Sequence, residues 1–247
     1  MKIKSFALSG LFAFCVCLPL RAEEEDTVKT QTPIRVLYSK KVPAFVRGRV
    51  PRGGVSKFFG VCKLKTSGPE VLFHLYSTAT TNKAKDEHVS DTRLYVVDVF
   101  ERSSQKSKAR LINSIQFDNS FDDFTRVSAD ILWVDPKKKT IPILKFDLSV
   151  PNGFNGPFGS NVLVNFAKGF KGKATVQEFG NSVSGYGESS RYYFYQVNGH
   201  GLMTIANAST SQTLDDSGGD ISKVDESICE WSGDRFCAPD ATTIERK

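Results

Sequence analysis

Histidine, methionine and tryptophan are scarce, with 3, 2 and 2 copies in 247 residues. His74, His88 and His200 fit neither an H-x-H nor an H-E-x-x-H spacing, so the common zinc-hydrolase motif is missing. The cysteines form no C-x-x-C pair, which removes zinc knuckles and dithiol redox sites. No G-x-S-x-G nucleophile elbow occurs; "GYGESSR" at 185–191 only approaches one. Helical periodicity is nearly absent past residue 22, and no later apolar run approaches the ~20 residues a membrane-crossing helix needs. These absences leave no catalytic residue, metal or cofactor to assign from the motifs.

The one long apolar run lies at the start. Lys2 and Lys4 precede Phe6–Leu20, and Leu20-Arg21-Ala22 follows. That order is the charged, apolar and small-residue sequence of a secretory signal, with cleavage expected after Ala22. Phe14 and Val16 stand before Cys15 and Cys17, where a lipid-anchored protein needs a small residue. The expected organisation is a signal peptide over 1–22, a flexible leader over 23–32, an all-β domain over 33–209 and a polar tail over 210–247. The mature protein is expected to be exported, periplasmic or extracellular, and soluble.

Charge is modest once the signal is discounted. The chain has 33 Lys and Arg against 27 Asp and Glu, a net charge of +6. Three of the basic residues, Lys2, Lys4 and Arg21, leave with the signal, and the mature net charge falls to +3. An exported chain of that charge gives no reason to expect a nucleic-acid partner.

Cys62, Cys229 and Cys237 remain after cleavage. Export favours a disulfide. "CEWSGDRFC" brings Cys229 and Cys237 together through Gly233, and these two are expected to pair. Cys62, in "FFGVCKLK", reads as a buried strand cysteine.

Alternation with a period of two dominates the mature chain. In "TRVSADILWV", Val127, Ala129, Ile131 and Trp133 share one face, and Arg126, Ser128 and Asp130 share the other. "LKFDLSV" at 144–150 repeats the pattern. Other expected strands are 34–41, 44–50, 55–65, 70–78, 92–100, 109–117, 161–167, 174–179, 190–197 and 202–208. Short turns such as "VDPKKKT" and "NGHG" imply antiparallel neighbours. The fold expected is an all-β, antiparallel sandwich or barrel of about a dozen strands, largely hairpin-connected, with a polar C-terminal tail.

"SVPNGFNGPFGSNVLVNF" at 149–166 places Gly153, Gly156 and Gly159 three residues apart. A phosphate loop would run into a helix; here a strand follows. The stretch reads as a strand-to-strand loop in which glycine permits positive φ. Phe154 and Phe158 read as core plugs, with exposure beside Asn155 and Asn161 as a sugar platform the alternative. Asp86, Glu87, His88 and Asp91 read as a solvated loop. "DDSGGD" at 215–220 has oxygen ligands but not the EF-hand order. His74 is expected to point away from the Val71–Phe73–Leu75 face.

A plain meander from residue 55 separates charge. Segments 101–108, 135–139 and 168–173 fall at one end with nine basic residues against two acids. Segments 79–91, 118–123 and 180–189 fall at the other with seven acids against two lysines. Lys137, Lys138, Lys139, Lys168, Lys171 and Lys173 then converge, with Phe170 among them. The expected function is non-catalytic binding of an anionic polysaccharide or another envelope or surface component through these turns. A glycan-active hydrolase or lyase on a β-sandwich, or a structural protein with no small ligand, is the alternative. Nothing in the residues bears on oligomeric state.

Overall fold

A computed structural model describes residues 29–65, 68–78, 93–119, 126–153, 156–183, 189–214 and 220–237. The signal segment, residues 79–92, 120–125, 184–188 and 215–219, and Phe154 and Asn155 lie outside these residues. The strands are β1 (Lys29–Thr30), β2 (Ile34–Arg35), β3 (Leu37–Tyr38), β4 (Val55–Lys63), β5 (Glu70–Ser77), β6 (Arg93–Arg102) and β7 (Arg110–Asn119). They continue as β8 (Arg126–Asp135), β9 (Thr140–Gly153), β10 (Gly156–Phe166), β11 (Ala174–Val183), β12 (Ser189–Val197), β13 (Met203–Leu214) and β14 (Asp220–Glu230). One short helix, α1 (Ala44–Arg47), is present among the described residues.

Every paired set of strands is antiparallel, and consecutive strands lie side by side within β3–β7 and within β8–β14. One sheet runs β3-β4-β5-β6-β7. The other runs β14-β13-β12-β11-β10-β9-β8-β2, with β1 on β12. This larger sheet is nearly broken in the middle: β11 meets β12 only at Ser182↔Ser190 and Val183↔Ser189. It therefore packs as two leaves, β8–β11 and β12–β14.

Apolar residues hold three layers together. Phe58, Phe73, Leu75, Tyr95 and Val97 of the first sheet pack on Ala129, Ile131, Trp133, Leu144, Phe146 and Val162 of the β8–β11 leaf. The opposite face of that leaf offers Leu132, Val134, Ile143, Leu163 and Phe179 to Phe194, Met203 and Ile205 of β12–β14. Fully burying one such side chain is worth about 1.5–3 kcal/mol. Trp133 belongs to the first core, as its shared face with Ala129 and Ile131 implies.

The β8–β11 leaf is covered on both sides, which corrects the one-sided alternation read for 126–135. The polar side of β8 ends at Asp130, and Leu132 and Val134 are as buried as Ile131. Segment 44–50, expected as a strand, instead holds α1. Pro43, at φ −61° and ψ 150°, sits at its N-cap, and Val46 is driven into a small core with Phe59, Leu72 and Phe100. Segment 34–41 divides into β2 and β3 because the chain crosses between sheets at buried Val36: β2 pairs with β8, and β3 with β4.

The glycine stretch is a hairpin inside two long strands. Gly153 opposes Gly156, and Gly159 is strand residue opposite Ser149 rather than a positive-φ loop position. The tail expected from 210 onward extends β13 to Leu214 and returns as β14, which pairs with β13 from Leu214↔Asp220 to Thr204↔Glu230. No helix among the described residues is long and apolar enough to cross a membrane.

Candidate functional site

The turn at 136–139 follows from its own residues. Asp135 accepts a hydrogen bond from the Lys138 backbone N–H at 2.9 Å and pairs with Lys138 Nζ at 3.1 Å. These contacts, the backbone one foremost, hold the Asp135 carboxyl below its usual range. Lys139 takes φ +54°, which lets the chain reverse into β9.

The β10–β11 turn is pinned from the other sheet. Gly169 takes φ +72°, and Gly172 N–H donates to Gly169 O at 2.9 Å. The Asn113 side-chain amide on β7 donates to Phe170 O at 3.0 Å and Gly172 O at 2.8 Å. Lys171 reaches Glu101 at 3.0 Å. Phe170 does not stand among the lysines. Its ring is buried, 5.4 Å from Phe73 and 5.0 Å from Phe166, because the turn closes over the end of the first core. Anchoring Phe170 inward turns Lys168, Lys171 and Lys173 outward, and all three are exposed.

Strand register places these turns together. Asn165 opposes Ile143 across β9 and β10, so 136–139 and 167–173 leave the leaf at one end. Glu70 opposes Arg102 across β5 and β6, so 64–69 and 103–109 share an end of the first sheet. The contacts of Asn113 and Lys171 make those two ends one. All six lysines, 137, 138, 139, 168, 171 and 173, are exposed there. Lys138 and Lys171 have carboxylate partners. Lys137, Lys139, Lys168 and Lys173 have none among the described residues, and exposed Lys65, Lys106 and Lys108 lie in the neighbouring turns.

Cys229 and Cys237 stand at disulfide distance with Cα atoms 5.0 Å apart. Gly233, at φ +104°, turns the loop, and Ser232 N–H donates to Arg235 O at 2.8 Å. Cys62 is buried and free, and burial pushes its thiol up to about 11. That is the state of a packing residue, not a nucleophile.

Two features were not legible in the sequence. The first is a groove of about 510 Å³ where β11 parts from β12, lined by Phe179, Glu178, Tyr192, Asn207, Ser227 and Arg235 among others. The second is a buried polar cluster on the outer face of the first sheet, beneath 42–54. His74 points away from Phe73 and Leu75, as alternation implies, yet it is fully buried. Its Nε2 lies 2.8 Å from Ser56 Oγ, and its Nδ1 meets no protein partner. Directly across the strands, buried Asp98 pairs with Arg49 and accepts from Ser114 Oγ at 2.7 Å.

The Ser56–His74 contact has the spacing of a nucleophile and its base but not the chemistry. Burial lowers the His74 pKa to about 4, and so weak a base gains little by taking a serine proton near neutrality. Asp98, which would have to hold Nδ1, is committed to Arg49 and Ser114. The cluster instead ties 42–54 to the sheet. On the β8–β11 leaf, Asp130 is held by Arg35 at 3.2 Å, and Asp147 is paired with Lys145. Asn161 is buried, so it lines no exposed sugar platform. Among the described residues no three His, Cys, Asp or Glu side chains gather as metal ligands. Comparison with protein-family models, with curated proteins and with solved structures finds no match to this chain.

Proposed function

We propose that this is an exported, non-catalytic β-domain that binds an anionic glycan through its basic turns. The observation that carries the reading is the convergence of turns 136–139 and 167–173 on one end, with Lys137, Lys139, Lys168 and Lys173 exposed and free of carboxylate partners among the described residues. Like charges crowded on adjacent turns raise the local potential and attract polyanions. Each exposed contact is worth at most about 1 kcal/mol. Several together bind a repeating polymer, and the interaction weakens with salt because the Debye length is only about 8 Å at physiological ionic strength. The export-signal pattern at residues 1–22 and the Cys229–Cys237 pair favour a compartment where the available polyanions are glycans rather than nucleic acid.

Binding to immobilised heparin and to anionic lipid vesicles tests this at low and high salt. Wild-type protein is expected to bind heparin and elute with salt, and a variant with all six lysines changed to Gln is expected to lose at least ten-fold in affinity. Equal binding by the two proteins removes the turns as the site. Binding to vesicles but not heparin overturns the glycan assignment.

A further inference from the structure

We infer that the groove beside β11 is a saccharide subsite that takes one sugar unit of the glycan held by the neighbouring lysine turns. This rests on the reading that the polyanion is a glycan, and adds a site at which its sugar rings are recognised.

The groove exists because β11 runs short of partners. On one side β11 pairs with β10 from Gly159↔Asn181 to Phe166↔Ala174. On the other it reaches β12 only at Ser182 and Val183. The disulfide loop fills part of the gap in place of a strand. Gln177 accepts from Phe236 N–H at 2.8 Å and donates to Phe236 O at 2.7 Å, and Thr175 Oγ1 donates to Asp234 O at 2.6 Å. Phe236 plugs the inner end, within the core formed with Phe179, Phe194 and Ile205. The space left above it, about 510 Å³, is the size of pockets that hold small ligands.

The walls match a pyranose. Strand register sets Tyr192 opposite Asn207, and Asn207 opposite Ser227, a row across β12, β13 and β14. This row continues the face that carries Phe194, Ile205 and Cys229, and the lining changes there from apolar to polar. Tyr192 is held edge-on to Phe179, ring centroids 5.2 Å apart, which supplies aromatic surface for the C–H face of a sugar. Asn207 Oδ1 accepts from Ser190 Oγ at 2.9 Å, which orients the amide. Its N–H groups, the Ser227 hydroxyl and the Arg235 guanidinium, which also pairs with Asp234 at 3.2 Å, supply donors and acceptors for a hydroxyl rim.

Position links the groove to the lysines. Lys173 and Thr175, a lining residue, are separated by two steps of chain, about 7 Å in extended backbone. Thr175 is covered by the disulfide loop, and the aromatic wall at Phe179 and Tyr192 begins four residues further along the same strand, about 20 Å from Lys173. A polymer crossing Lys173 therefore reaches that wall after several sugar units, a distance that a hexasaccharide spans.

Calorimetry with a panel of uronate and sulfated hexasaccharides, run at low and high salt on the full-length chain, tests the subsite. Two groove variants are used, Tyr192→Ala and Ser227→Trp, the second placing a bulky ring at an exposed position so that one variant stays folded. Each is expected to weaken binding at least ten-fold at high salt while leaving the salt dependence of what remains unchanged. The six-lysine Gln variant is expected to lose the salt-dependent part alone. If both folded groove variants bind as wild type does while the lysine variant fails, the subsite is wrong and the docking reading stands. If wild type binds no member of the panel, both fall.

Discussion

His74 shows what one residue's surroundings do to its chemistry. Ser56, Phe59, Tyr76, Asp98 and Arg49 face it, and burial outweighs the pull of Asp98 in lowering its pKa from 6.5 to about 4. The unfolded chain takes up a proton near pH 6.5, and the folded chain resists until about 4. Stability is therefore present above pH 6.5 and lost as pH falls through that window. The loss is at most about 3.5 kcal/mol, since each pH interval of one between the two values is worth about 1.4 kcal/mol. Urea unfolding of wild type and His74→Gln at pH 7, 5.5 and 4 checks this, and the variant is expected to lose less over the interval. Glu70 enters only at the acid end of that window. Burial opposes its ionisation, but Arg102 at 2.6 Å and Lys63 at 3.5 Å outweigh it, and its carboxyl lies below the usual range. Its contribution is lost only as pH falls below about 4.5. Alternation along "VLFHLYS" set the direction of the His74 side chain, but that 42–54 would lie over it was not legible there.

Elements differ in how openly their residues announce them. The hairpin at 136–139 could be read because Asp, Pro and Lys supply the turn locally. β14 could not, because its sequence is mostly polar and carries no period-two alternation, and its pairing comes from β13 beside it. The disulfide loop lies between these cases: the spacing of Cys229 and Cys237 implied closure, but not that the loop would stand in for a missing strand against β11. Cross-linking residues eight apart stabilises by about 2.5 kcal/mol in the chain-entropy model. The Cys229→Ser, Cys237→Ser double variant is expected to lose about that much in urea unfolding. A loss below about 0.5 kcal/mol would show that the Gln177 contacts with Phe236 hold the loop without the bridge.

At the scale of the molecule, the gathering of lysine turns at one end has a thermodynamic signature apart from any ligand. Lysines gathered at one end repel one another, and salt screens the repulsion. Wild-type protein is expected to gain stability between about 20 mM and 300 mM salt, and the six-lysine Gln variant to gain less. Because exposed charges contribute little individually, the variant should melt within a few degrees of wild type. Thermal unfolding at the two salt concentrations measures both effects. A salt response equal in the two proteins would mean that the lysines stand too far apart to interact.

What the residues determined on their own is local: period-two alternation, turn chemistry, cysteine spacing and the sign of charge in each turn. These depend on neighbours within a few positions, and they were enough for an antiparallel meander with basic turns at one end. What only the tertiary structure decided depends on residues far apart in the chain. Both faces of β8 are covered because the β12–β14 leaf folds back over it. Phe170 leaves the lysines for the core because Phe73 and Phe166 offer it a place. The groove opens because β11 and β12 separate after two residue pairs, and a separation between strands leaves no trace in the sequence of either one.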